Sequence, residues 1–227
     1  MDLTSQAASP MTVLLVEDHA IFREQLSELI KRQPDMAICG ETDTAAEALE
    51  MIESKCPSIV LIDITLKGRG GLELLKDIKA RDLRVPSLVL SMHDELLYAE
   101  RVLKAGARGY ITKHETSKEV LSAIRRVVAG EVYLGTRMSA RVLESFSTGP
   151  SPQQGMGQLT DRELEVFQLI GEGRGTREIC GRLHLGVSTI DTYRARIKAK
   201  LNIDSGSQLT HEAIRWVSQG QSSADGD

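Results

Sequence analysis

Apolar residues over the first 130 positions follow two alternating rhythms. Short runs rich in β-branched and aliphatic residues stand at Thr12–Val16, Met36–Glu41, Ser58–Ile62, Ser87–Ser91 and Arg108–Thr112. Between them the apolar positions recur at helical spacing: Ala45, Ala48, Leu49 and Ile52; Leu72, Leu75 and Ile78; Val120, Ile124, Val127 and Val128. Strands covered on both faces read as near-continuous apolar runs, because neither side meets water. The alternation therefore predicts a five-stranded parallel sheet with helices on both sides, a doubly wound α/β domain over residues 11–131.

Beyond it the rhythm changes. Residues 132–146 read as a connecting helix, and 147–157, free of charge and rich in Ser, Pro, Gly and Gln, as a flexible linker. Residues 158–219 carry only helical periods, which predicts an all-α four-helix domain. Its first helix opens on Thr160 with Glu163 three residues on, a capping box, and presents Leu164, Phe167 and Ile170. A second starts at Thr176 with Ile179 and Leu183 inward, and a third covers Val187–Leu201 with Ile190, Ile197 and Leu201 on one face. The last holds Leu209, Ala213, Ile214 and Trp216, a spacing that serves a core or a dimer interface equally. Residues 1–10 and 220–227 read as disordered tails.

Composition adds little and excludes some things. A net charge of −4 and 41% hydrophobic residues describe an ordinary globular protein, so any basic surface must be local. No apolar run reaches membrane-spanning length, and the N-terminus lacks the basic and apolar regions of a secretory signal. Cys39, Cys56 and Cys180 match neither metal spacing nor a disulfide framework, which points to reduced thiols and a cytoplasmic protein.

Chemistry concentrates where the strands end. Ligands bind outside the C-terminal ends of strands in open parallel sheets. Glu17 and Asp18 follow the first run, Asp63 the third, Ser91 ends the fourth, and Lys113 follows the fifth. Each alone has a plainer reading: a turn former or helix cap for the acids, a solvated side chain for the lysine. Together they bring three carboxylates, a hydroxyl and an ammonium to one edge. Crowded hard oxygen donors suit Mg²⁺, and a carboxylate beside Mg²⁺ can attack a phosphoryl group.

These residues carry a resemblance. The segments "LLVEDH", "VLIDITL", "LVLSMHDE" and "AGARGYITK" resemble the receiver domain of bacterial two-component response regulators. The segments "LTDRELEVFQLIGEGRGTREIC" and "STIDTYRARIKAKL" look like the LuxR-type helix-turn-helix. Their order resembles the NarL/FixJ subfamily. The resemblance implies a flavodoxin-like receiver and phosphoryl transfer from a sensor histidine kinase to Asp63. It implies Mg²⁺ held by Glu17, Asp18, Asp63 and the Thr65 carbonyl, with Ser91, Tyr110 and Lys113 responding to the phosphoryl group. Promoter DNA and RNA polymerase follow as partners, with a homodimer as the phosphorylated form. Glu17 stands where Asp is usual, and Lys67 where the loop usually has proline, which implies altered loop mobility or kinase docking. Thr65 and His93 occupy positions that tune acyl-phosphate lifetime.

The segment Val187–Leu201 is the candidate recognition helix. Arg194, Arg196, Lys198 and Lys200 face one acid, Asp191, within it. Opposite its core face lie Ser188, Asp191, Thr192 and Ala195, candidates for base edges, with Asp191 able to accept from cytosine N4. Arg177 and Lys198 suit phosphates, and Thr176, Thr189, Tyr193, Arg196 and Lys200 complete the expected DNA-binding set. Gly186 replaces the usual Ser cap at a cost of roughly a few tenths of a kcal/mol.

Two other functions compete. Haloacid-dehalogenase-type phosphatases also use an Asp after an apolar strand, but need a second acid two residues on, where this chain has Thr65. A DNA-binding protein with a receiver used only for docking would not need Glu17, Asp18, Asp63, Ser91 and Lys113 together. The expectation is a regulator, not an enzyme beyond its own phosphorylation and dephosphorylation.

Overall fold

The computed structural model describes residues 9–66, 70–92, 96–135, 139 and 153–222. These form two compact units, one built on residues 1–93 and 100–135, the other on 94–99 and 136–227.

The first unit alternates strand and helix as the apolar rhythm requires. In chain order it runs β1 (Met11–Val16), α1 (Ala20–Lys31), β2 (Met36–Thr42), α2 (Ala45–Lys55), β3 (Ile59–Asp63) and α3 (Gly71–Ala80). It continues through β4 (Ser87–Ser91), α4 (Leu96–Ala105), β5 (Gly109–Thr112), α5 (Ser117–Val128) and β6 (Tyr133–Leu134). All pairings are parallel, in the order β2-β1-β3-β4-β5-β6. Alternate residues along each strand point to opposite faces. Val13, Leu15, Ile59, Leu61, Leu88, Leu90 and Ile111 join Leu26 and Ile30 of α1 and Val120, Ile124 and Val127 of α5 in one core. The intervening Leu14, Val60, Ile62 and Val89 are fully buried on the other face.

The sheet has six strands where five were expected. Tyr133 and Leu134 pair with Gly109 and Tyr110, and the Tyr133 amide donates to the Arg108 carbonyl at 2.9 Å. Two residues are too short to show a period of two, so the strand arises from pairing to a sheet edge rather than from pattern. It occupies the start of the expected connecting helix. Val132 and Gly135 beside it are not helical, and past Gly135 only Ser139 of that stretch is described, as helical. Residues 147–152 of the expected linker lie outside the described residues, while Gln153–Gln158 form a 3₁₀ turn.

The second unit contains α6 (Asp161–Gly171), α7 (Thr176–Leu183), α8 (Val187–Leu201) and α9 (Gly206–Ser222). The capping box at Thr160 forms: its amide donates to Glu163 Oε2 at 2.7 Å and its hydroxyl accepts from the Glu163 amide at 3.3 Å. Leu164, Phe167, Ile179, Leu183, Ile190 and Ile197 make the core, while Leu201 is only half-buried. Leu209, Ala213 and Trp216 of α9 are buried too, and the Trp216 ring meets Phe167 at 5.8 Å between centroids. These three residues therefore complete the core, and only Ile214 faces outward. Helix α9 continues to Ser222, into the stretch expected as a tail.

Candidate functional site

Parallel register brings the ends of the central strands level. Val16 pairs with Ile62, Asp63 with Leu90, and Ser91 with Thr112. The chain runs from β1 outward to β2 and then crosses to β3, so the crevice between β1 and β3 is the topological switch point. Glu17 and Asp18 leave β1 there, Asp63 closes β3, and Lys113 arrives from β5.

The side chains converge tightly. Lys113 Nζ lies 2.6 Å from Glu17 Oε2 and 3.1 Å from Asp63 Oδ2, and all three side chains are almost wholly buried. Its ammonium also sits over the Phe22 ring, 4.7 Å from the centroid. Asp63 Oδ1 accepts from the Thr65 amide at 3.2 Å, and the Thr65 hydroxyl lies 3.3 and 3.2 Å from the two carboxylate oxygens. Burial, then the negative charge of Asp63, push the Glu17 carboxyl above its ordinary value; Lys113 pulls it back. Glu17, Asp18 and Asp63 bring three carboxylates toward one buried ammonium, a charge count that suits a further cation.

The backbone leaves no slack beneath Asp63. A Cβ on Gly71 would stand 2.0 Å from the Asp63 carbonyl oxygen, and the Gly71 amide donates to the Ile64 carbonyl at 3.0 Å. Ser91 and Tyr110 are fully buried on adjacent strands, and the Lys113 amide donates to the Ser91 carbonyl at 2.7 Å. Lys67 and His93 lie outside the described residues.

The donor set suits Mg²⁺. Ligand atoms of Glu17, Asp18, His19 and Asp63 all lie within 4.8 Å of one another. His19 was not among the expected site residues. Its Nδ1 is 2.9 Å from Asp18 Oδ1, 3.1 Å from Glu17 Oε1 and 3.9 Å from Asp63 Oδ2. The residue caps α1 without a side-chain bond to its backbone. The signal in the sequence was its place directly after the acidic pair.

In the second unit, Gly186 begins α8 and the helix presents Ser188, Asp191, Thr192, Ala195 and Arg196 to solvent, as expected. Arg177 is exposed on α7, and Thr189, Tyr193 and Lys198 are half-buried. Two expected DNA contacts have other partners. Lys200 Nζ lies 2.6 Å from the buried Glu163 carboxylate, tying α8 to the cap of α6. The Thr176 hydroxyl accepts from Arg194 at 3.1 Å, joining α7 to α8. Among the described residues, no side-chain ion pair engages Arg177, Asp191, Arg196 or Lys198.

Both halves have relatives. The response regulator receiver domain matches residues 13–125, and the luxR family of bacterial regulatory proteins matches residues 157–213. Response regulator UvrY of Escherichia coli is 31% identical over 205 residues, covering 90% of this chain and 94% of that one. The chain belongs to the LuxR-family response regulators. Transcriptional activator protein ExaE of Pseudomonas putida is 32% identical over 209 residues, 90% of this response regulator and 96% of that protein. A LuxR-family two-component response regulator from Aurantimonas superposes with a TM-score of 0.59 at 33% identity, covering 61% of this chain and 99% of that one. Salmonella RcsB, solved on promoter rprA with phosphomimetic BeF3-, has a TM-score of 0.62 at 20% identity, covers 92% of this chain and 99% of that one, and shares the fold. The response regulator thus joins a receiver to a DNA-binding domain, the architecture of phosphorylation-controlled transcriptional regulation.

Proposed function

We propose that Asp63 accepts a phosphoryl group from a sensor histidine kinase, and that this releases α7 and α8 to bind promoter DNA as a dimer. The convergence of Asp63, Glu17 and Lys113 at the switch point carries the reading, with Lys113 Nζ 2.6 Å from Glu17 and 3.1 Å from Asp63. An Asp63 carboxylate oxygen attacks phosphorus, a P–O bond forms, and the P–N bond to the kinase imidazole breaks. Lys113 faces the oxygens on which charge accumulates. Glu17, Asp18, Asp63 and the Thr65 carbonyl hold Mg²⁺, which offsets charge on the transferring phosphoryl group when bound. Ser91 and Tyr110, buried on neighbouring strands, rearrange around the new dianion.

The output is a helix-turn-helix. Helix α8 enters the major groove, with Ser188, Asp191, Thr192 and Ala195 toward base edges. Arg177, Arg196 and Lys198 contact phosphates, and Thr189, Tyr193 and Thr176 flank them. Lys200 acts instead as a brace through Glu163. Among the described residues no helix is long and apolar enough to cross a membrane, and we place the protein in the cytoplasm, where RNA polymerase completes its partners.

The test is selection from a random-sequence DNA library with and without beryllofluoride and Mg²⁺, for wild type and Asp63→Asn. Beryllofluoride stands in for the phosphoryl group. Wild-type binding should tighten on paired half-sites about 10 bp apart, and Asp63→Asn should not respond. Equal binding by both proteins with and without it removes the switch.

A further inference from the structure

We propose that His19 is a nitrogen ligand of the receiver's metal site and biases that site toward transition-metal ions. The inference rests on the metal site proposed above.

The geometry points to a shared ion. Two donors each about 2.1 Å from one octahedral ion stand about 3.0 Å apart when adjacent and about 4.2 Å when opposed. His19 Nδ1 lies 2.9 Å from Asp18 Oδ1, 3.1 Å from Glu17 Oε1 and 3.9 Å from Asp63 Oδ2. The first two spacings match adjacent ligands, and the third approaches an opposed pair. The ring makes a hydrogen-bond contact from Nδ1 to Glu17 Oε1 at 3.1 Å, and the same nitrogen stands closer still, 2.9 Å, to Asp18 Oδ1. Lys113 serves the other Glu17 oxygen, Oε2, and meets the imidazole at Asp63 Oδ2, 3.1 Å from the ammonium and 3.9 Å from the ring nitrogen.

The backbone keeps the ring in place. The His19 amide donates to Glu17 Oε1 at 3.0 Å, and α1 begins with the next residue. The side chain is 48% exposed, so the ring stands at the solvent boundary of the buried carboxylates. Chemistry then sets the preference. Hard Mg²⁺ favours oxygen donors and gains little from imidazole, whereas Mn²⁺, Co²⁺ and Ni²⁺ accept an imidazole nitrogen readily.

Mn²⁺ provides a direct readout. The full-length protein is loaded with Mn²⁺ at fixed pH, and electron spin-echo envelope modulation is recorded for wild type, His19→Ala and Asp63→Asn. Wild type should show directly bound ¹⁴N, and His19→Ala should lose it. Calorimetry should show Mn²⁺ affinity falling about tenfold in His19→Ala, with Mg²⁺ affinity unchanged. Because His19 makes no side-chain cap bond, its replacement leaves the start of α1 intact. Mn²⁺ binding that Asp63→Asn weakens, but with no ¹⁴N coupling and no change in His19→Ala, overturns the role of His19 and leaves the metal site standing. Mn²⁺ binding indifferent to Asp63→Asn overturns both.

Discussion

Lys113 is the residue on which the receiver's charge balance turns. It lies between two buried carboxylates, so its loss leaves them facing each other without a counter-ion. Removing one partner of a buried ion pair is strongly destabilising, and Lys113→Met should cost about 3 kcal/mol in metal-free urea unfolding. Added Mg²⁺ should restore part of that loss, since it brings positive charge to the same oxygens. Asp191 has the opposite standing. It is an exposed acid on the helix proposed to enter the major groove, and among the described residues no ion pair offsets it. Its charge weakens contact with phosphates, so its gain must come from a base edge. Asp191→Ala should abolish a roughly tenfold preference for cytosine at one position of each half-site. The same variant should bind non-specific DNA more tightly. Base preferences identical to wild type across a selected library would refute the contact.

Two helices rest on glycine because backbone meets backbone. Helix α3 starts against the Asp63 carbonyl, where a Cβ on Gly71 would stand 2.0 Å away. Helix α6 ends against α9, where a Cβ on Gly171 would stand 2.4 Å from the Ala213 carbonyl oxygen. Neither obstacle is a flexible side chain, so the helices must shift. Gly71→Ala should lower receiver stability by about 1–3 kcal/mol and slow phosphorylation of Asp63, with DNA-domain unfolding unchanged. Gly171→Ala should do the reverse, weakening DNA binding while phosphorylation proceeds at the wild-type rate. Calorimetry paired with acetyl-phosphate labelling reads both arms.

The two units should also answer differently to pH. Burial raises the Glu163 carboxyl, but the Lys200 ammonium and the Thr160 amide and hydroxyl outweigh it and hold the carboxyl below its ordinary value. A depressed carboxyl contributes stability that is present above its unfolded value and lost as pH falls through the folded one. The second unit should therefore lose the brace between α6 and α8 below the ordinary glutamate value of about 4.3. Glu163→Gln should flatten that acid-side loss in thermal melts, at the expense of lower stability near neutrality. No change in the acid limb would show that the Lys200 contact is energetically idle.

Pattern alone marked the five longer strands and most of the helices, but it did not single out α1 or α4. Strands buried on both faces and helices with one apolar stripe repeat their signature over several residues, so β1, β3, β4 and α5–α8 were legible before any coordinates. Residues at strand ends were legible too, because a parallel sheet necessarily gathers them on one edge. What pattern could not supply was who touches whom. Tyr133–Leu134 became a strand only because β5 offered an open edge. Lys200 counted as one more cation of a basic helix until the fold brought Glu163 to 2.6 Å from it. Leu209, Ala213 and Trp216 were divided from Ile214 only by packing against α6, since apolar spacing does not distinguish a core from an interface. His19 carried no periodic signal, and its bearing on the metal site follows from three side-chain distances. Periodicity is a local property that one segment carries alone, whereas ion pairs and shared ligands join segments through tertiary packing.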